Sequence, residues 1–453
     1  MKGGIKMNNQ IPSMRPTRRQ FIGGAAGAAI AAPMLTRSAM GQDVQRLVFA
    51  VPVDNSGANR ELVEAFNQSN GSGIEVVIFE MPARSDEHRT LIESELNVGR
   101  EEIDVFAADV VWTSQLAVNG WVRNLTSRFY AEADPGEFLQ APMNSILFRN
   151  QMWGVPWFTD AGMVFYRRDL LEQAGVAVPT TWAELQEAAN TVRQATGTAH
   201  GFLFQGASYE GGTANACEFI WSGGGRIMTQ QRQVFDAYST DSSHPNDISL
   251  NSAATVAGLN AARSLVESGA SPLEVTAMDE TMSNDAFLAG DAVFLRSWPS
   301  LYALAGTGSA VSRDQIGIML IPAVEAGQQS TSCLGGWNLM ISAFSSKVDA
   351  AWQFISYATS AEAQSARART GAFLPTRGAL YEDASLAADV PLVELGRTAV
   401  ETSRTRPASV IYPQVSPRIS LTFNRILKGE WSADEGVQLL SDDLNVLMRR
   451  SRG

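Results

Sequence analysis

Residues 153–171 read WGVPWFTDAGMVFYRRDLL. The first half is aromatic and stiffened by Pro156, and one acid, Asp160, sits between Phe158 and Phe165. The second half, 163–166, is an apolar strand that runs into a charged helix start. An acid among aromatic residues at the mouth of a strand offers hydrogen-bond acceptors beside flat apolar faces, which suits a ligand with hydroxyls on its rim and C–H groups on its face. Taken singly, Trp153, Trp157 and Phe158 suit a core and Asp160 suits a turn cap. The rest of the chain has to decide.

Working back toward the N-terminus, the first forty residues carry six basic residues (Lys2, Lys6, Arg15, Arg18, Arg19, Arg37), no acid, and a Gly/Ala-rich run from 21 to 33. Thr17-Arg18-Arg19-Gln20-Phe21-Ile22 resembles a twin-arginine export signal, with small residues at 38–42 for cleavage near 39–42. The apolar run is too short and too Gly-rich to span the ~30 Å of a bilayer core. A signal peptide over 1–41 and a soluble periplasmic protein are therefore expected. Its removal leaves 29 of the 35 basic residues against 47 acidic ones, a formal charge of −18. Such a chain disfavours nucleic acid and anionic membranes, which reward clustered Lys and Arg, and suits a neutral or cationic ligand. Cys217, Cys333 and three scattered histidines have no metal-ligand spacing, so no metal and no cofactor are expected, and the cysteines read as two buried thiols.

About 410 mature residues exceed one ordinary core, so two lobes are expected. The pattern 47–53, a polar loop at 54–57, a helix carrying Leu62, Val63 and Phe66, then 74–79 reads as a parallel βαβ unit. Its repetition through a helix at 87–98 and a strand at 103–107 brings Asp109 to a strand's carboxyl edge, where open α/β sheets bind ligands. Asp109 also reads as an N-cap for a helix near Thr113. Thr181 and Glu184 form a capping box. Gly223-Gly224-Gly225 lacks the strand before and helix after that a phosphate cradle needs, and reads as a helix stop. Strands at 292–295 and 316–321 and one beginning at Trp337 follow, and only helices are predicted beyond about residue 345.

Six short blocks now fall in one order: Asp104-Val105-Phe106 with Asp109-Val110; 156–170; Gln205-Gly206 with Tyr209-Glu210-Gly211; Ser297-Trp298-Pro299; Leu334-Gly335-Gly336-Trp337; and Arg406-Pro407 with Tyr412-Pro413-Gln414. In this set the chain resembles the extracellular solute-binding proteins of sugar ABC transporters, and within them the trehalose/maltose-binding branch. The resemblance implies an α/β, two-lobed periplasmic-binding-protein fold of type II, with a disaccharide closed between lobes joined by hinge crossovers. The implied N-terminal lobe is 42–159 with 324–372, and the C-terminal lobe 160–323 with 373–453. Carried over position by position, Asn55, Arg89, Asp109, Phe158, Asp160, Glu280, Trp298, Gly336, Trp337 and Arg406 fall where that branch touches sugar. Asn55 stands where an acid is expected and Phe158 where a tyrosine is, which favours trehalose over maltose. The implied partners are the sugar and the membrane permease subunits of the transporter, with the protein itself a monomer.

An exported carbohydrate enzyme is the rival reading, since Asp109 and Asp160 could serve as acid and base. The sequence offers no His-centred triad and nothing that singles out one carboxylate for catalysis, so a binding protein is expected. Within the binding class, an oligosaccharide, a glycerophosphodiester or an amino sugar is the alternative solute.

Overall fold

The structure, a computed structural model, describes residues 44–228, 248–306, 308–329 and 331–452. The expected export signal and its cleavage site lie outside the described residues.

Two sheets, one per lobe, organise the chain. The strands in order are β1 (Gln45–Pro52), β2 (Ile74–Met81), β3 (Val105–Asp109), β4 (Leu147–Phe148), β5 (Gln151–Met152), β6 (Val155–Ala161), β7 (Met163–Arg167), β8 (His200–Leu203), β9 (Ala292–Ser297), β10 (Ile316–Leu320) and β11 (Leu334–Ile341). The first sheet has the order β2-β1-β3-β11-β6, the second β10-β7-β9-β8, and β4 pairs only with β5. β1 is parallel to both β2 and β3, as the repeated βαβ pattern predicts, whereas β11 enters antiparallel between β3 and β6. Pro156, which has no N–H to donate, is accommodated because β6 is an edge strand.

Alternation along the strands divides the first lobe into two cores, one on each face of the sheet. Val105 and Ala107 of β3 and Leu339 and Ile341 of β11 enter one. Phe106, Ala108 and Met340 enter the other. The helix Ala58–Ser69 covers the first of these with Leu62, Val63 and Phe66. Each such side chain, fully buried, contributes ~1.5–3 kcal/mol. The second lobe has its own core around β7, β8 and β9, and the long C-terminal helices Tyr412–Lys428 and Ala433–Arg452 pack into it.

Local signals in this lobe act as read. The Thr181 hydroxyl accepts from the Glu184 N–H at 3.2 Å while the Glu184 carboxylate accepts from the Thr181 N–H at 3.1 Å, opening the helix Trp182–Thr196. The helix Glu210–Ser222 stops at the glycine run, where Gly224 has φ +83°. Cys217 and Cys333 are free and buried. Asp109 does not cap the following helix, whose N-cap residue is Trp112.

The opening stretch is the hinge between the sheets. β6 belongs to the first and β7 to the second, and Gly162 alone separates them. A Cβ on Gly162 would lie 1.9 Å from Glu218 Oε1 and 2.4 Å from Arg296 Nη2, so the crossing requires glycine. On the return, Ala323 N–H donates to Thr180 O, Val324 N–H to Ser222 O, and Cys333 N–H to the Glu218 carboxylate. Those partners keep the segment with the second lobe until Leu334 begins β11, so the chain re-enters the first lobe there and not at residue 324.

Candidate functional site

The register of the first sheet gathers half of the site. β11 pairs Trp337 with Asp109 of β3 and with Phe158 of β6, and Gly335 with Asp160. Four candidate side chains thus reach one end of the sheet in a row. Gly336, between them, has φ +108°, and a Cβ there would approach Phe158 O to 2.5 Å. Trp337 is half-buried and braced edge-on by Trp112, with centroids 5.4 Å apart, and by the tilted ring of His88 at 5.1 Å. Burial holds the His88 imidazole down to about 3, only partly offset by the Ala107 backbone, so this brace is neutral.

The second lobe supplies the opposite wall. Glu280 opens the helix Glu280–Leu288, accepts from the Tyr209 hydroxyl, and accepts from Trp298 Nε1 at 3.3 Å. Trp298 follows β9 and lies against Arg296, whose guanidinium carbon is 4.0 Å from the ring centroid. Arg296 is itself fixed by two 2.7 Å bonds to Glu218, both residues being buried. One face of Trp298 is therefore set by a buried, charge-assisted pair.

Arg406 ties the walls together. Its Nη2 donates to Asp109 Oδ1 at 2.7 Å and its Nη1 to Glu210 Oε1, while Ser85 Oγ donates to Asp109 Oδ2 at 2.9 Å. Glu210 further accepts from Tyr412 and from Ser416 Oγ, the latter at 2.6 Å. Burial pushes the Glu210 carboxyl up, against the pull of Arg406. Asp160 is different. It is 7 % exposed, its Oδ1 has no hydrogen-bond partner, and burial pushes its carboxyl up to about 8 despite Arg367 and Arg296.

Nine of the ten sequence-derived candidates, Asn55, Asp109, Phe158, Asp160, Glu280, Trp298, Gly336, Trp337 and Arg406, line one cavity of about 260 Å³ between the sheets. Arg89 does not. It pairs with Glu93 at 2.9 Å and faces a separate small cavity bounded by Asp86, Glu210 and Tyr412. The arginine that this segment brings to the cleft is Arg84, the residue immediately before the helix Ser85–Val98, whose guanidinium carbon stands 4.6 Å from the Tyr209 ring centroid. A residue at a helix start points to the sheet's open edge, and one more than a turn later has rotated away. Trp157 also lines the cleft, whereas Trp153 belongs to the core and donates to Phe148 O at 3.1 Å.

Sequence reasoning also missed Arg367, on the helix Ala361–Gly371, and Phe373, two residues beyond its end, which line the cleft without any motif. Tyr209 and Glu210 stood in a quoted block but were assigned no role. The lining holds six carboxyl groups to three guanidinium groups. That balance favours a neutral or cationic guest over an anionic one. Among the described residues no group of three or more His, Cys, Asp or Glu is arranged to hold a metal ion.

The chain is 31 % identical to the maltose-bound T. maritima MalE3, with a TM-score of 0.79 over 89 % of this chain and 99 % of that one. It is 29 % identical over 394 residues to a probable ABC transporter-binding protein of Deinococcus radiodurans, covering 84 % of this chain and 88 % of the relative. It is 23 % identical to a mannitol-binding protein of Pseudomonas aeruginosa, covering 94 % and 98 %. The family model for bacterial extracellular solute-binding proteins matches residues 54–365. With two lobes, a cleft between them and these relatives, the chain belongs to the bacterial extracellular solute-binding proteins and is a binding protein, not an enzyme.

Proposed function

We propose that the protein is the substrate-binding component of an ABC importer, and that it captures a neutral disaccharide, trehalose ahead of maltose, and delivers it to membrane permease subunits. The observation that carries this reading is the convergence of carboxylates, Arg406 and two tryptophans from both lobes on a cavity of about 260 Å³. Ligand pockets for drug-sized molecules run ~300–1,000 Å³, so one or two sugar rings fit this space and a long oligosaccharide does not. Asp109, Asp160 and Glu280 accept from sugar hydroxyls, Arg406 donates to sugar oxygens, and Trp298 and Trp337 meet the C–H faces. The maltose held by T. maritima MalE3 supports a glucoside. Asn55 and Phe158 weaken the grip on a second ring that a carboxylate and a phenol would hold, which ranks trehalose first. Closure turns about the crossings at 161–163 and 332–334 and brings both walls onto one guest. The protein works as a periplasmic monomer exported by the twin-arginine route.

Isothermal titration of the mature protein with trehalose, maltose, mannitol and a glycerophosphodiester tests this. The expected result is a dissociation constant of ~1 μM or tighter for a disaccharide, about −8 kcal/mol, with no product formed. Tighter binding of mannitol or of the phosphodiester would overturn the disaccharide assignment, and mass spectrometry of unliganded and recombinant extracts would then identify the solute.

A further inference from the structure

Arg367 is a buried cation with unused donors. It projects from the helix Ala361–Gly371 and is 3 % exposed. Its guanidinium carbon lies 3.7 Å from the Trp157 ring centroid, 4.4 Å from Phe373 and 4.9 Å from Phe158. Nη2 donates to Asn59 Oδ1 at 3.1 Å, but Nε and Nη1 have no partner. Every other arginine at the cleft has a carboxylate: Arg406 has two, and Arg84 has Asp86 at 3.2 Å. A sealed, unpaired guanidinium costs several kcal/mol, which packing alone does not require because a Met or Leu would fill the same cage.

Asp160 lines the same cavity as Arg367. Trp157 and Phe158, on which the guanidinium lies, precede Asp160 on β6, and Asp160 Oδ1 is the unpartnered buried acceptor of the cleft. The helix carrying Arg367 runs into Leu374, whose carbonyl accepts from the Thr159 N–H, so the two elements are bonded together. We propose that Arg367 is a positioning residue for the Asp160 carboxyl: a guanidinium sealed from solvent in an aromatic cage supplies the positive charge against which Asp160 accepts hydrogen bonds from ligand hydroxyls. The inference rests on the sugar-binding reading above for the ligand, and on the shared cavity lining and the unpartnered atoms of both groups for their coupling.

The other charged and titratable groups that face Asp160 are Arg296 of β9, Asp109 of β3 and Tyr381 of the turn Gly378–Glu382, with Asp54 acting on Arg367 itself. Arg296 is already neutralised by Glu218 and Asp109 by Arg406. Arg367 is thus the cation left to act on Asp160. Burial lowers the Arg367 guanidinium to about 9 and raises Asp160 to about 8, and each group draws the other toward its charged form.

The test is a carbon-13 NMR titration of carboxyl-labelled protein between pH 5 and 10 without ligand, the Asp160 signal being assigned by its loss in D160N. The wild-type midpoint is expected near 8, R367K close to it, and R367M higher by at least one pH unit. An R367M midpoint equal to that of the wild type overturns the proposal. If R367M does not fold, R367Q, which keeps amide donors and loses the charge, gives the same two outcomes. Titration calorimetry with trehalose and maltose at pH 6 and pH 9 forms the second arm. Affinity is expected to rise at least tenfold between these values in wild type, and to lose that rise in R367M. A shifted NMR midpoint with no binding of either sugar by wild type counts against the disaccharide reading and not against the coupling. A shifted midpoint with pH-independent sugar binding overturns the role of the pair in the ligand contact.

Discussion

Asp160, in the cleft, and His88, buried behind Trp337, carry opposite pH dependences. The Asp160 carboxyl is held near 8 in the folded chain against ~3.9 unfolded. Its raised value means a contribution to stability that is complete below pH 4 and lost as the pH rises through 8. D160N removes that loss, so the variant should gain on wild type by up to ~1.4 kcal/mol per pH unit across that window, read from urea unfolding at pH 5 and pH 8. At pH 9, where the carboxyl is ionised, the same variant should bind sugar about tenfold or more weakly, because a charge-assisted hydrogen bond is worth ~1.5–3 kcal/mol. Equal stability gaps at the two pH values would remove Asp160 from the strained position assigned to it. His88, lowered to about 3 from ~6.5 unfolded, works in the other direction. Its contribution is present above pH 6.5 and lost as the pH falls toward 3, since the unfolded chain takes up the proton first. H88F should flatten acid destabilisation between pH 6.5 and 4 while keeping Trp337 braced. An unchanged acid limb would show that His88 is not held neutral.

At the scale of elements, β11 is the piece on which the site depends. It is the one antiparallel strand between β3 and β6, and its register sets Trp337 beside both Asp109 and Phe158. Gly336 permits this at φ +108°, a conformation that an L side chain adopts only under strain. G336A should therefore destabilise by at least ~1–3 kcal/mol and, by pushing β6 away, weaken sugar binding. A variant that melts and binds like wild type would show that the close approach to Phe158 O is not required. The platform formed by Trp298 is separable from the core because one face rests on the Arg296–Glu218 pair. W298A should weaken sugar binding by ~0.5–2 kcal/mol or more through lost ring contact, with a modest drop in melting temperature. A large drop in melting temperature at unchanged affinity would make it a core residue.

Across the whole molecule, Arg406 links Asp109 of the first lobe to Glu210 of the second. R406M should strand two buried carboxyl groups and destabilise by ~3–5 kcal/mol, visible as a lower urea midpoint. Trehalose at a hundredfold excess over its dissociation constant should stabilise wild type by ~2.7 kcal/mol and do little for R406M. Recovery of R406M by the sugar to the wild-type level would mean that the guest, and not this ion pair, holds the walls together.

The elements were legible because they follow from local rules. The apolar runs of β1 and β3, the Thr181–Glu184 box and the glycine stop at 223–225 are fixed by side-chain character and backbone hydrogen bonding, which act within a few residues. The ordered blocks of candidate residues are likewise properties of the sequence, and nine of the candidates line one cavity. What the sequence by itself could not determine are the facts that depend on distance through space. That Arg84 and not Arg89 reaches the cleft turns on where a helix begins, a boundary that no residue in 82–89 marks with a side-chain cap. The return to the first lobe at Leu334 depends on hydrogen bonds from Ala323, Val324 and Cys333 to Thr180, Ser222 and Glu218, each more than a hundred residues away. Arg367 carried no motif, since a cation in a helical stretch reads as solvated surface. Only the folding of that helix over Trp157 and Phe158 buries it, and burial is what turns an ordinary charge into one that acts on Asp160.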